Sequence, residues 1–207
     1  MRPHSTELRA PRSTEEWSRY HDTRKRCIFE KYNAKGSEHY FEYNPAHPDE
    51  RDPANHPMVF LLDGQVIGTI RIDIKPDGRA IFRLVAIDAP WQGQGLGGIM
   101  LALAEDHAQA CGSHTVCLNA VPEAYRFYAR HGFSPARWDG CTDNRTEIPV
   151  VKVLHPKLAV AQTSGVAATR RPRPVNRRGG IWPRTATAAV SSMDRVGKVS
   201  QAALGRA

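Results

Sequence analysis

The stretch WQGQGLGG, residues 91–98, places four glycines and two glutamines between a run that reads as a strand, RAIFRLVAID, and a run with apolar residues at helical spacing, LGGIMLALAEDHAQACG. Glycine loses more freedom on ordering than any other residue. A cluster of it at a strand-to-helix junction therefore implies a backbone held in turns closed to other residues, or approached closely by a ligand. In such a junction the unpaired amide N–H groups and the positive end of the helix dipole converge on one point. That is a ready-made anion site, and phosphate is its usual guest.

The elements around the junction define the sheet it belongs to. Ser13 followed by Glu16 reads as a capping box, and Trp17, Tyr20 and Ile28 predict an amphipathic helix to about Tyr32. A polar, proline-broken loop follows from Ser37 to Pro57, with aromatics at Tyr40, Phe41 and Tyr43. A loop of that length in a compact domain is disordered or functional. MVFLLDGQVIGTIRIDI then predicts a hairpin closed by Asp63-Gly64, its second strand setting Ile70, Ile72 and Ile74 on one face and Arg71 and Asp73 on the other. KPDG is a turn, and Arg79 to Asp88 completes a three-stranded meander. Beyond the glycines come a helix stopped by Gly112, the strand HTVCLNA, a helix opened by Pro122 and closed by Gly132, and a last strand from Thr146 to His155. Pro149 inside that strand argues for a sheet edge or a bulge. The order predicts an α/β (α+β) fold with a mixed, mainly antiparallel central sheet flanked by helices.

Charge divides the chain in two. Residues 156–207 hold ten Lys and Arg against one acid, a net +9, whereas residues 1–155 hold 19 basic and 20 acidic side chains. The C-terminal segment, rich in Arg, Pro, Ala and Ser, has no sustained period and too little apolar surface to offset its ordering entropy, so it reads as a disordered tail behind a domain of residues 1–155. No apolar run approaches membrane-spanning length and the N-terminus carries no secretory core, which places the protein in the cytoplasm with no membrane partner. Cys27, Cys111, Cys117 and Cys141 are too irregularly spaced for a disulfide framework or a zinc knuckle. His107 and Cys111 stand four apart on one helix, but two ligands without a third read as packing, and no metal is expected.

Three phosphate motifs compete for residues 92–98. Gly93, Gly95 and Gly98 satisfy Gly-x-Gly-x-x-Gly, but the next strand ends in Asn119-Ala120 where a dinucleotide site wants an acid, and the motif follows a meander. A P-loop fails because no Gly-Lys-Ser/Thr is present there. The third pattern, Gln/Arg-x-x-Gly-x-Gly/Ala, is met by Gln92, Gly95 and Gly97.

In this context, with RLVAID before the motif and VCLNAVPEAYRFYARHGF after it, the chain resembles the GNAT family of N-acetyltransferases. The likeness is carried by residues 80–135, extends to residues 13–79 in element order only, and leaves out the tail. It implies a GNAT-like acyltransferase fold, acetyl-CoA as cosubstrate, and transfer of an acetyl group to a primary amine by direct attack, with a small molecule or a protein as acceptor. By resemblance Val85 and Ile87 offer their backbone to the pantetheine arm, and Asn119 falls at a further cofactor-contacting position. The loop Gln92, Gly93, Gln94, Gly95, Leu96, Gly97 and Gly98 grips the pyrophosphate in the same comparison. FYARHGF matches the family's Tyr-x-x-x-Gly-Phe, which makes Tyr128 the catalytic residue. A phenol suits that place, because a thioester expels a thiolate whose thiol has a pKa of about 8.5 against about 10 for tyrosine. Tyr125 is a weaker candidate. For the general base Asp88, Asp73, Glu42 and His39 compete, and Arg71 and Arg83 could meet an acceptor carboxylate or simply solvent. The alternative from another class is a non-catalytic acyl-CoA-binding or nucleic-acid-docking protein that uses the basic tail, whose clusters would bind phosphate backbones in a salt-dependent way.

Overall fold

The computed structural model describes residues 4–34, 42–142 and 146–155. The expected tail, together with Tyr40, Phe41 and the base candidate His39, lies outside the described residues.

Seven strands form one sheet in the order β1-β2-β3-β4-β5-β7-β6, with β1 Thr6–Arg9, β2 Asn55–Leu62, β3 Gln65–Ile74, β4 Arg79–Ile87, β5 Thr115–Ala120, β6 Ser134–Pro135 and β7 Ile148–Val153. Every neighbouring pair is antiparallel except β4 and β5. The mixed, mainly antiparallel sheet is thus as expected. Strand β1, which the sequence reading passed over, adds itself to β2 with Leu8 opposite Phe60. Its four residues are too few to show an alternation of their own. Asp63 and Gly64 close the predicted hairpin with φ values of 49° and 84°, both in the left-handed region that this turn requires. Pro149 pairs opposite Asn119, and only the two-residue β6 lies outside its strand.

Helix α1 spans Thr14–Arg24 and runs on through a wider π-helical stretch, Lys25–Glu30, into the short α2, Lys31–Asn33. Ser13 Oγ accepts from the Glu16 N–H at 3.2 Å, but Glu16 does not return the bond to Ser13. Its carboxylate is drawn instead to the Arg9 guanidinium at 2.7 Å and the Arg12 N–H at 2.6 Å, and the Arg9 bond above all lowers its pKa to about 2. The capping box is half formed because β1 supplies a stronger donor than the helix's own first amide. Helices α3, Leu96–Ala110, and α4, Pro122–Arg130, follow as predicted, with Gly112 and Gly132 at φ 86° just past their ends.

The sheet is covered on both faces. Met58, Ile70, Ile72, Ala80, Phe82, Val116 and Leu118 face α3 and α4, where they meet Leu101, Ala104 and Tyr128. Val59 and Leu61, on the other face, meet Tyr20 and Trp17 of α1. On that second face Arg71, expected to meet an acceptor carboxylate or solvent, is instead buried, and so is the base candidate Asp73. The segment read as an open loop brings Asp49 and Glu50 over them on a short helical turn, Pro48–Glu50. Glu50 accepts from Arg24 at 2.7 Å, Arg71 at 3.2 Å and the Tyr20 hydroxyl at 2.8 Å, while Asp73 accepts from Arg71 and Arg83, each at 2.8 Å. Burial opposes ionisation of Glu50, yet Arg24, Tyr20 and Arg71 together outweigh it and hold its pKa below the ordinary value.

Candidate active site

The site is made by a sheet that comes apart. β4 and β5 pair only at Arg79, Ala80 and Ile81, opposite Thr115, Val116 and Cys117, although β4 runs on to Ile87 and β5 to Ala120. The parting begins next to a bulge. Arg71 pairs with Arg83 and Thr69 with Ala86, so two residues of β4, Leu84 and Val85, answer one of β3, Ile70, and Leu84 takes φ 52°, a left-handed conformation costly for a branched side chain. The extra residue reverses the alternation: Ala80 and Phe82 face the helices before it, and Val85 and Ile87 after it. Beyond the bulge the side of β4 that would have paired with β5 borders a cleft of about 1680 Å³. That is above the roughly 300–1,000 Å³ of a drug-sized pocket and suits an extended cofactor with an acceptor beside it.

At the mouth of the cleft lies the glycine loop. Gly93 and Gly95 have φ values of 77° and 78°, so successive N–H groups turn toward one side just where α3 begins at Leu96. Gly97 and Gly98 have ordinary φ; their constraint is contact, since a Cβ would stand 3.4 Å from the Phe127 ring and 2.6 Å from His131 Nε2. Of the predicted loop residues, Gln92, Gly93, Gly95, Gly97 and Gly98 line the cleft. Gln94 and Leu96 do not contribute side chains to it. Gln94 donates to the Pro90 carbonyl at 3.0 Å, and Leu96 is buried against Phe60, Ile67 and Met100. Gln92 donates to the Ile87 carbonyl at 2.7 Å, which pins the loop to the end of β4 and occupies that carbonyl.

Val85, Ile87, Asn119 and Tyr128 all line the same cleft. Asn119 Oδ1 is buried and has no hydrogen-bond partner among the described residues, an acceptor left for a guest. Tyr128 is buried against Phe127 and Phe133, and desolvation raises its phenol to about pKa 12. The hydroxyl is therefore protonated throughout the physiological range and always available as a donor.

The base candidates separate cleanly. Asp88 caps the turn Ala89–Trp91 and binds Arg26 at 3.0 and 3.1 Å, a pairing that holds its carboxyl below the usual range. Asp73 is locked between Arg71 and Arg83. Glu42 lines the cleft, as does Glu147, a carboxylate the sequence reading did not single out. Burial raises the pKa of Glu147, opposed by the charge of Arg83. Its signal in sequence is nil: it stands in a polar stretch, and only the fold carries it to the cleft.

The family profile described as Acetyltransferase (GNAT) family matches residues 14–133. The chain belongs to the GNAT acetyltransferase family. Solved structures share the fold of this GNAT domain at low identity. PaiA N-acetyltransferase from Thermoplasma acidophilum, in complex with coenzyme A, is 18% identical over 72% of this chain and 99% of that one, at a TM-score of 0.58. An acyl-CoA N-acyltransferase from Pseudomonas aeruginosa is 16% identical over 73% and 100%, at 0.57. N-acetylglutamate synthase from Neisseria gonorrhoeae, complexed with coenzyme A and L-arginine, is 15% identical over 73% of this chain and 34% of its own, at 0.54. The GNAT domain is accordingly an acyltransferase by family, and among its described residues no helix is long and apolar enough to cross a membrane.

Proposed function

We propose that this GNAT domain transfers an acetyl group from acetyl-CoA to a primary amine by direct attack. The observation that carries the reading is the continuity of the parted β4 edge with the glycine loop. One long cleft offers main-chain groups to an amide-bearing arm and, at its mouth, amides and a helix start to a diphosphate. The orphaned Asn119 Oδ1 fits an N–H donor on that arm. The backbone of Val85 aligns the thioester, with the Ile87 carbonyl taken by Gln92, and the amides of residues 93–97 hold the pyrophosphate, since those of Gln92 and Gly98 already donate to the Ala89 and Gly95 carbonyls.

In the transfer the amine lone pair attacks the thioester carbon, the C–N bond forms and the C–S bond breaks. The thiolate leaves within reach of the Tyr128 hydroxyl, which hydrogen-bonds or protonates it. The acceptor arrives as an ammonium and must lose a proton first. Glu147, with a raised pKa inside the cleft, takes it. Asp49 and Glu50 are tied to Arg71, while Glu42, Glu123 and Glu147 line the cleft together with Lys31, Arg83 and Arg130.

The test is a panel of amines incubated with acetyl-CoA and the full chain, read by release of free thiol and by the mass of the acetylated product. Thiol release that depends on the amine supports the reading. Binding of coenzyme A by calorimetry with no turnover on any amine would replace it with a non-catalytic acyl-CoA-binding protein, and no binding at all would overturn both.

A further inference from the structure

At the far end of α3 from the glycine loop, two elements bring three ligating side chains together. His107 on α3 and Cys111 at its C-cap lie one turn apart, and His56 reaches them from the start of β2, on the same sheet face as Met58. His56 Nδ1 is 2.7 Å from His107 Nε2, and Cys111 Sγ is 3.7 Å from His107 Nε2 and 4.0 Å from His56 Nδ1. The three donor atoms lie within 4.8 Å of one another.

We propose that His56, His107 and Cys111 form a Zn2+ site with its fourth position open to solvent. Bond lengths of about 2.0–2.1 Å to nitrogen and about 2.3 Å to sulfur in a tetrahedron require donor separations of about 3.3 Å between nitrogens and about 3.6 Å between nitrogen and sulfur. The observed triangle already meets the sulfur distances to within a few tenths of an ångström on the His107 side. The two rings need to separate by about 0.6 Å, which breaks only their mutual hydrogen bond. Two imidazoles and a thiolate select zinc over the hard cations magnesium and calcium, which want oxygen. Cys111 is exposed, so the ion enters directly from solvent. Binding forms two Zn–N bonds and one Zn–S bond and releases the thiol proton, about one per ion because both rings bind as neutral imidazoles. The ion clamps the beginning of β2 to the end of α3. It lies about 18 Å along the helix from Gly95, twelve residues at 1.5 Å each, and so stands apart from the cleft.

The experiment uses the full chain, reduced, metal-free and carrying no histidine tag, titrated with Co2+ and then Zn2+. The expected result is a set of tetrahedral d–d bands with a thiolate-to-cobalt charge-transfer band, saturating at one equivalent, bleached by Zn2+ and untouched by excess Mg2+. Cys111→Ser abolishes the charge-transfer band, and His107→Gln weakens Zn2+ binding by at least about tenfold. Cys27→Ser and Cys141→Ser leave the spectrum as it is. Zn2+ raises the melting temperature of the wild type and not of Cys111→Ser, whose metal-free melt serves as the check on folding. Absence of the charge-transfer band in the wild type, or its persistence in Cys111→Ser, overturns the site and leaves the two rings as a hydrogen-bonded pair.

Discussion

Substitution of Tyr128 by Phe separates the phenol's chemistry from its packing. The ring stands 5.1 Å from Phe127 and 5.7 Å from Phe133 and keeps both contacts in the variant. Only the hydroxyl is lost; it faces the cleft and no described residue hydrogen-bonds it, so no bond within the protein is broken. Stability should hold or rise by up to about 1 kcal/mol, a melting temperature no more than about 2–4 °C higher. Turnover should fall by about 10²–10⁴, or roughly 2.7–5.5 kcal/mol in barrier height, with the coenzyme A dissociation constant unchanged. A pH series gives an independent check. The folded pKa, about 12, lies above the 10.0 of the free side chain, so the associated stability is intact below pH 10 and lost as pH rises toward 12; the Phe variant shows no such loss. Stopped-flow thiol release, calorimetry and denaturant melts measure all three quantities. Unchanged turnover would refute the assigned role, and a loss of more than about 1 kcal/mol of stability would show that the hydroxyl is a structural group.

Glu147→Gln should lower turnover by about 10²–10⁴ and remove the acid limb of the kcat/KM profile, because the base works only when ionised. Since burial raises the folded pKa of Glu147 above 4.5, its contribution to stability is complete below that value and declines as pH rises through the folded pKa. The Gln variant should therefore gain stability at neutral pH, and wild-type turnover in it would remove the residue from the mechanism. Gly95→Val should weaken coenzyme A binding at least about tenfold in calorimetry. At φ 78° the new side chain is strained by about 1–2 kcal/mol, although no protein atom lies within 4 Å; equal affinity would contradict the loop's role. Glu50→Gln leaves Arg24 and Arg71 short of a buried counter-charge and should cost about 3–5 kcal/mol, a melting temperature lower by roughly 10 °C. Its pKa is held below 4.5, so in the wild type that stabilisation is present above this value and lost as pH falls through the folded pKa. A drop under about 1 kcal/mol would show that Asp49 and Asp73 suffice.

The glycine loop, the Asp63-Gly64 hairpin, the helix ends at Gly112 and Gly132 and the place of Tyr128 were legible because each rests on a backbone preference or a motif carried by a few adjacent residues. The order of the longer elements followed from them, without β1 and β6. What the sequence by itself determined is therefore local conformation and the family's chemical core. The tertiary structure alone decided that Leu84 bulges and parts β4 from β5, that Arg71 and Asp73 are buried beneath Asp49 and Glu50, and that Glu147 reaches the cleft. It also supplied His56 as the third partner of His107 and Cys111. These features depend on contacts between residues tens of positions apart. Their energies come from desolvation, charge pairing and sheet register, which no short window of sequence contains.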